Sequence, residues 1–294
     1  MEEPTDSRFV PCPPPLCPVR KPGRQIPSDS CDTHVHVVGP PERYLLDPDR
    51  GYTPCPCSLA EYWYVMKVLG LGRAVLVQPS VYGFDNAAML DALREGHPDL
   101  RGVAVVRPEI EQKELDTLHE GGVRGARINA VDRAGASIGD ALPLAAKIAA
   151  LGWHLQLFLS PSMLHHIEYI MVDVTTPIVL DHFGNIRPED DGFSRDFEAV
   201  RRLLGSGRCW VKLSAPYRLL SGDRAEDDHR MLVEGLVAEN PERLLWASDW
   251  PHTNVPGEMP DDVALLEDFL ALVPDKSVQH RILVENPHKL YWNS

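Results

Sequence analysis

Eight short runs of apolar and β-branched residues recur along the chain, at 31–38, 74–78, 102–106, 125–129, 154–158, 177–181, 210–214 and 244–248. Each is mostly apolar rather than alternating, the pattern of a strand covered on both faces. Between them lie longer stretches with apolar positions three and four apart, which predict helices at about 59–70, 86–95, 111–119, 140–151, 161–172, 195–204 and 227–238, then two closing helices near 261–272 and 276–285. Ser58 stands where an N-cap would start the first helix. A strand followed by a helix, eight times over, predicts a (β/α)8 TIM barrel. A doubly wound sheet would need a Gly-x-Gly-x-x-Gly turn after the first strand, and none follows it.

Residues 1–29 are rich in proline and charge and carry no periodicity, so they read as an extended arm, with residues 30–294 as the one barrel domain. The long proline-bearing loop 39–58 is a candidate functional loop.

Composition narrows the function. The 294 residues are 44% hydrophobic with a net charge of −14. That charge argues against nucleic acid or an anionic membrane as partner. No apolar run approaches the roughly 20 residues of a membrane span, and no signal-peptide pattern opens the chain, so a cytoplasmic protein is expected. The six cysteines, Cys12, Cys17, Cys31, Cys55, Cys57 and Cys209, do not match zinc-ribbon spacing and read as free thiols rather than a disulfide framework. A disulfide tying down the arm is the alternative.

In a barrel the chemistry gathers at the C-terminal ends of the strands. Strand one ends with His34 and His36, placed two apart and so on one face. Strand two ends with Gln78 and Ser80, strand four with Arg127, Asn129 and then Arg133, strand six with Asp181 and His182, strand seven with Lys212, Ser214, Tyr217 and Arg218, and strand eight with Asp249, His252 and Asn254. Lys212 reads as a barrel-core ion-pair partner. Asp181 either orients His182 or caps the next turn. His165 and His166 fall on a helix and read as solvent-facing, while His97, His119, His229 and His280 carry no motif. Five arginines, Arg107, Arg127, Arg133, Arg187 and Arg218, lie at or beyond strand ends, which in so acidic a chain points to an anionic ligand. Arg127, Arg133 and Arg218 are the first choices.

At these residues the chain resembles the amidohydrolase superfamily, through Asp32-Thr33-His34-Val35-His36, Asp181-His182-Phe183-Gly184 and Ser248-Asp249-Trp250-Pro251-His252. Within it, the sequence is most similar to the 2-pyrone-4,6-dicarboxylate lactonases and the sulfomuconolactone hydrolases. The closer matches are Gln78-Pro79-Ser80, Arg124-Gly125-Ala126-Arg127-Ile128-Asn129, Lys212-Leu213-Ser214-Ala215-Pro216-Tyr217-Arg218 and Asn286-Pro287. The resemblance implies hydrolysis of a lactone ring in a small polyanionic intermediate of aromatic-compound breakdown. By position it makes His34, His36 and His182 the groups that polarise the carbonyl and Asp249 the base. Arg127, Arg133 and Arg218 would hold acid groups, with Ser80, Tyr52 and Asn254 assisting. Two cofactor states follow from it: one zinc ion on His34, His36, His182 and Asp249, or no metal.

The chain departs from the family pattern twice. Strand four ends in Arg127-Ile128-Asn129 rather than a metal-bridging lysine, which argues against a binuclear centre. Strand five runs Gln156-Leu157-Phe158-Leu159, without the tyrosine the pyrone lactonases would place there. A pocket near Trp250 would raise the pKa of Asp249 towards that of a useful base. The rival readings are a metal-dependent decarboxylase of the same superfamily and a non-catalytic anion-binding barrel.

Overall fold

The computed structural model describes residues 11–95, 98–131, 135–255 and 257–293. Eight parallel strands run in sequence order: β1 (Cys31–Val35), β2 (Arg73–Val77), β3 (Leu100–Ala104), β4 (Val123–Asn129), β5 (His154–Phe158), β6 (Ile178–Leu180), β7 (Cys209–Leu213) and β8 (Leu244–Trp246). Seven helices fill the crossovers: α1 (Leu59–Leu69), α2 (Ala87–Arg94), α3 (Gln112–Glu120), α4 (Ala141–Ile148), α5 (Leu164–Ile170), α6 (Phe193–Gly205) and α7 (Ala225–Glu239). After β8 come α8 (Asp262–Leu272), α9 (Lys276–His280) and α10 (Asn286–Tyr291). This is the (β/α)8 barrel that the alternation predicted.

Local chemistry sets the element ends. Ser58 and Glu61 form a reciprocal capping box at the start of α1, and Gly70 closes it in the left-handed conformation at φ 82°. The last predicted helix differs. Instead of one helix over 276–285, α9 passes through a π turn, Arg281–Glu285, into α10. Pro287 at the start of α10 has no N–H to donate to the preceding turn. Arg73 takes up the carbonyl of Val284 in that turn, at 3.0 Å.

The first strand is also shorter than predicted. It ends at Val35, with a register shift between Asp32 and Val35. Asp32 reaches outward, where its carboxylate accepts from the Tyr62 hydroxyl of α1 at 2.9 Å and from the Ser248 N–H at 3.0 Å. His34 and His36 turn inward instead. The barrel closes between β8 and β1 through these contacts and through Thr33 Oγ1 to the Trp246 carbonyl at 2.9 Å and the Asp249 N–H to the His34 carbonyl at 3.1 Å.

The strand alternation separates two cores. Ala74, Leu76, Ala126, Ile128, Leu155 and Leu157 pack outward under the helices. Val75, Val77, Val103, Val179, Trp210 and Leu245 point inward and fill the lower barrel together with Tyr291 of α10. His154 lies inside with them, edge-on to Tyr291 at 5.1 Å between ring centroids. Gly125 faces it, because a Cβ there would come within 2.4 Å of the imidazole. Above this apolar plug the inward positions turn polar. The arm is tied across the outside by Cys12 N–H to the Thr53 carbonyl at 2.8 Å and by an Arg20–Glu267 ion pair at 2.7 Å; its first ten residues lie outside the described residues. All six cysteines are free thiols, with Cys55 and Cys57 Sγ atoms 3.2 Å apart.

Candidate active site

The polar upper half of the barrel is built in two tiers. The lower tier is made by Arg127 of β4, Gln156 of β5, Asp181 just past β6 and Lys212 of β7, all buried. Lys212 Nζ donates to the Thr33 carbonyl at 2.8 Å and to Gln156 Oε1 at 2.9 Å, and lies 3.5 Å from Asp181 Oδ1. Burial pushes the Lys212 ammonium down to about 8, with Asp181 pulling it back. Asp181 also meets Arg127 at 3.4 Å and His34 Nδ1 at 3.2 Å. Burial alone would raise its pKa, but the surrounding positive groups hold it well below the usual carboxylate range. The core ion pair expected of Lys212 is present.

Asp181 does neither of the things expected of it. It makes no side-chain cap, and His182 is oriented instead by the Ser214 hydroxyl, 2.8 Å from its Nδ1. The alternation of β6 turns Asp181 into the barrel, where it meets cations, and the ring it orients is that of His34.

The upper tier holds His34, His36, His182 and Asp249, all buried. His36 donates from Nδ1 to the Val77 carbonyl at 2.7 Å, so its Nε2 presents a lone pair. That Nε2 lies 3.3 Å from His34 Nε2. Asp249 Oδ1 lies 3.7 Å from His34 Nε2, 3.8 Å from His36 Nε2 and 3.6 Å from His182 Nε2. Burial pushes the imidazoles of His36 and His182 down to about 4 and holds that of His34 well below the usual imidazole range.

Asp249 stands in a left-handed conformation, φ 70°, and so do His252 and Asn254 on the same loop. Such backbone costs about 1–3 kcal/mol per residue and is kept where surrounding contacts demand it. The contacts fall on Oδ2, which accepts from Arg218 Nε at 2.9 Å and from the Tyr217 hydroxyl at 2.8 Å. Tyr217 is backed by His252, whose Nε2 meets Asp262 Oδ1 at 3.1 Å.

The raised pKa expected of Asp249 is a correction. Burial is the largest influence and pushes it up, but Arg218 together with the His182, His34 and His36 imidazoles outweighs it and holds the carboxyl below the usual range. Trp250 supplies no apolar wall, because its ring packs outward on Tyr62 at 5.2 Å between centroids.

Above the upper tier opens a cavity of about 290 Å³. Its lining includes His36, His182, Asp249, Arg127, Arg218, Tyr52, Ser80 and Asn254, all expected from the sequence. His34 lies just beneath. Arg133 falls outside the described residues. Arg107 is elsewhere, stacked on Phe84 at 3.7 Å. His165 and His166 are exposed on α5. Arg187, one of the five strand-end arginines, is on the wall too, and the structure adds Asn185 and Phe158. Phe158 fills the place where a tyrosine was missing and packs edge-on against His182 at 5.3 Å. Gln156 was legible as the polar residue of strand five, whereas the supporting Asp262 is revealed only by its proximity in space.

Two groups among the described residues have donor atoms close enough to share a metal ion: His34, His36 and Asp249, and His34, Asp181 and His182. The second competes with Lys212 and Arg127 for Asp181, so the first is the better site. Its two facing Nε2 atoms and one carboxylate oxygen, 3.3–3.8 Å apart, fit the edge lengths of a tetrahedral zinc sphere. Behind the rings the Val77 carbonyl accepts from His36, while His34 Nδ1 lies 3.2 Å from both Lys212 Nζ and Asp181 Oδ1.

A parallel (β/α)8 barrel with a His-x-His pair, a third histidine and an aspartate at the C-terminal mouth defines a class of barrel hydrolases. The chain belongs to the amidohydrolase family, whose model matches residues 31–292. It is similar to a 2-pyrone-4,6-dicarboxylate hydrolase of Comamonas testosteroni, 36% identical over 92% of this chain and 93% of that one. A 4-sulfomuconolactone hydrolase of Rhizobium radiobacter is 32% identical, over 90% of this chain and 91% of the relative. A solved structure from Acinetobacter baumannii, described as a probable 2-pyrone-4,6-dicarboxylic acid hydrolase with citric acid bound, superposes with a TM-score of 0.80. It is 26% identical and covers 90% of this chain and 99% of its own. No helix of the described residues is long and apolar enough to cross a membrane.

Proposed function

We propose that the protein hydrolyses the lactone ring of a small dianionic intermediate of aromatic-compound degradation, of the 2-pyrone-4,6-dicarboxylate or 4-sulfo- or carboxymuconolactone type. The observation that carries this is the carboxylate of Asp249, with Oδ1 3.6–3.8 Å from three imidazoles at the floor of a cavity walled by arginines. The relatives named above act on lactones with two acid groups, and the cavity suits a ligand of that size and charge.

In this reading Asp249 Oδ1 takes a proton from the attacking water, whose oxygen bonds to the lactone carbonyl carbon. The ring C–O bond then breaks and the leaving oxygen takes up a proton. Arg218 and Tyr217 hold Oδ2, so only Oδ1 is offered to the water. Burial and the Asp249 charge keep the Tyr217 phenol protonated, so it stays a donor. The positive surroundings that weaken Asp249 as a base also make a neighbouring water more acidic. With the Ser214 hydroxyl donating to Nδ1, His182 offers Nε2–H to the carbonyl oxygen as negative charge grows there. Arg127 holds one acid group of the substrate, with Ser80 and Tyr52 lining the same cavity.

In the alternative state His34, His36 and Asp249 would hold a divalent ion such as zinc, which would supply Lewis-acid charge at the reacting carbonyl in place of the free carboxylate. The domain reading accompanies this proposal: an arm over 1–29 laid on one catalytic barrel over 30–294.

The test is turnover of both lactone types with product analysis. Ring opening with release of one proton and no carbon dioxide supports hydrolysis. Carbon dioxide release would move the protein to a decarboxylase, and tight binding without turnover to an anion-binding barrel.

A further inference from the structure

The arginines that line the cavity are not equivalent. Arg127 is buried and faces Asp181 with one terminal nitrogen and the Gln78 carbonyl with the other, at 3.4 and 3.1 Å. Its Nε is buried with no hydrogen-bond partner. Arg218 spends its Nε on Asp249 and its other nitrogens on the carbonyls of Thr253 and Asn254. Both positive charges are thus matched by carboxylates of the protein.

Arg187 differs. It lines the same cavity, its side chain is exposed, and among the described residues it meets no carboxylate. Its backbone is not a loose loop. His182, Phe183 and Asn185 all have positive φ, Asn185 is pinned to the Leu159 carbonyl at 2.8 Å, and the neighbouring Ile186 is fully buried. A guanidinium with no counter-ion among the described residues is therefore held at the cavity rim on the β6 side, apart from Arg127.

We propose that Arg187 is a specificity-determining residue that binds the outer acid group of a dianionic ligand, while the inner acid group meets the Arg127 guanidinium where it lines the cavity. This rests on the lactonase reading and deepens it: the preferred substrate carries two anions on opposite sides of a small ring, and a single-acid lactone loses the outer anchor. A guanidinium is suited to the task because it stays charged and can grip a carboxylate or sulfonate with two parallel donors.

The experiment compares benzene-1,3-dicarboxylate with benzoate by calorimetry on wild type, Arg187→Met and Arg187→Lys. Arg187→Met is expected to weaken the dicarboxylate about tenfold, the size of one lost charge-assisted contact, and to leave benzoate unchanged. Arg187→Lys restores part of the loss, since it returns the charge without the fork. On a dianionic lactone the same Met variant raises KM with kcat nearly unchanged. Equal affinity of wild type and Arg187→Met for the dicarboxylate, or equal losses for both probes, would overturn the assignment. Should wild type open no lactone yet show the Arg187-dependent preference, the hydrolase reading falls and the anion site stands.

Discussion

Arg218 Nε donates to Asp249 Oδ2 across 2.9 Å, which leaves Oδ1 of the same carboxylate facing the imidazoles. The two oxygens thereby have different tasks: one is anchored, the other is open to chemistry. Removing the carboxylate's charge should therefore separate catalysis from binding. Asp249→Asn is expected to lower kcat by about 10³-fold or more. Affinity for a dicarboxylate is retained or increased, because Arg218 loses its internal partner. Turnover near the wild-type rate would refute Asp249 as the base.

The facing Nε2 atoms of His34 and His36 lead to a prediction about metal. Chelator-treated protein is expected to bind one zinc ion per chain in a calorimetric titration, with His36→Asn weakening it by at least about tenfold. Activity lost on chelation and restored by zinc would assign these side chains to a metal centre. Full activity in protein shown to be metal-free would assign the histidines to hydrogen bonding alone.

Lys212 sits at the centre of the lower tier with no exposure to solvent. Lys212→Met leaves the Gln156 oxygen and the Thr33 carbonyl without their donor and Asp181 short of one positive neighbour. Breaking a buried charge set in this way costs about 3–5 kcal/mol, to be read from chemical denaturation. A loss under about 1 kcal/mol would mean that the tier relaxes around the change.

Acid stability depends on histidines far from the cavity mouth. Burial pushes His154 down to about 3 and His229 to about 4, while an unfolded histidine titrates near 6.5. The unfolded chain therefore binds these protons first. Their contribution to stability is complete above about pH 6.5 and is lost as the pH falls towards the folded values. His154→Phe keeps the ring packing on Tyr291 and should flatten the acid limb of a stability–pH curve. An unchanged limb would show that His154 is already protonated in the fold.

Much of this architecture was legible in the residues. The eight apolar runs predicted all eight strands, since strands covered on both faces must be apolar throughout. Ser58 and Gly70 marked the ends of α1 through their own backbone and side-chain chemistry. Local pattern was weaker where tertiary contacts decide. The first strand was drawn three residues too long because its register shift arises from Asp32 reaching to Tyr62 and Ser248. The closing helix was drawn as one piece because a π turn has no sequence period of its own.

By itself the sequence determined the barrel, the strand ends that carry His34, His36, His182 and Asp249, and the cationic character of the mouth. These follow from hydrophobic periodicity and from residue chemistry at known positions along a strand. Only the tertiary structure decided the pairings. It gave Asp181 to His34 rather than His182, bound Arg218 to Asp249, turned Trp250 away from that carboxylate and left Arg187 with no counter-ion among the described residues. Each outcome depends on which charges meet across the barrel, between residues dozens to hundreds of positions apart. Distances of 3–4 Å between such residues set ionisation and orientation, and no one-dimensional pattern encodes them.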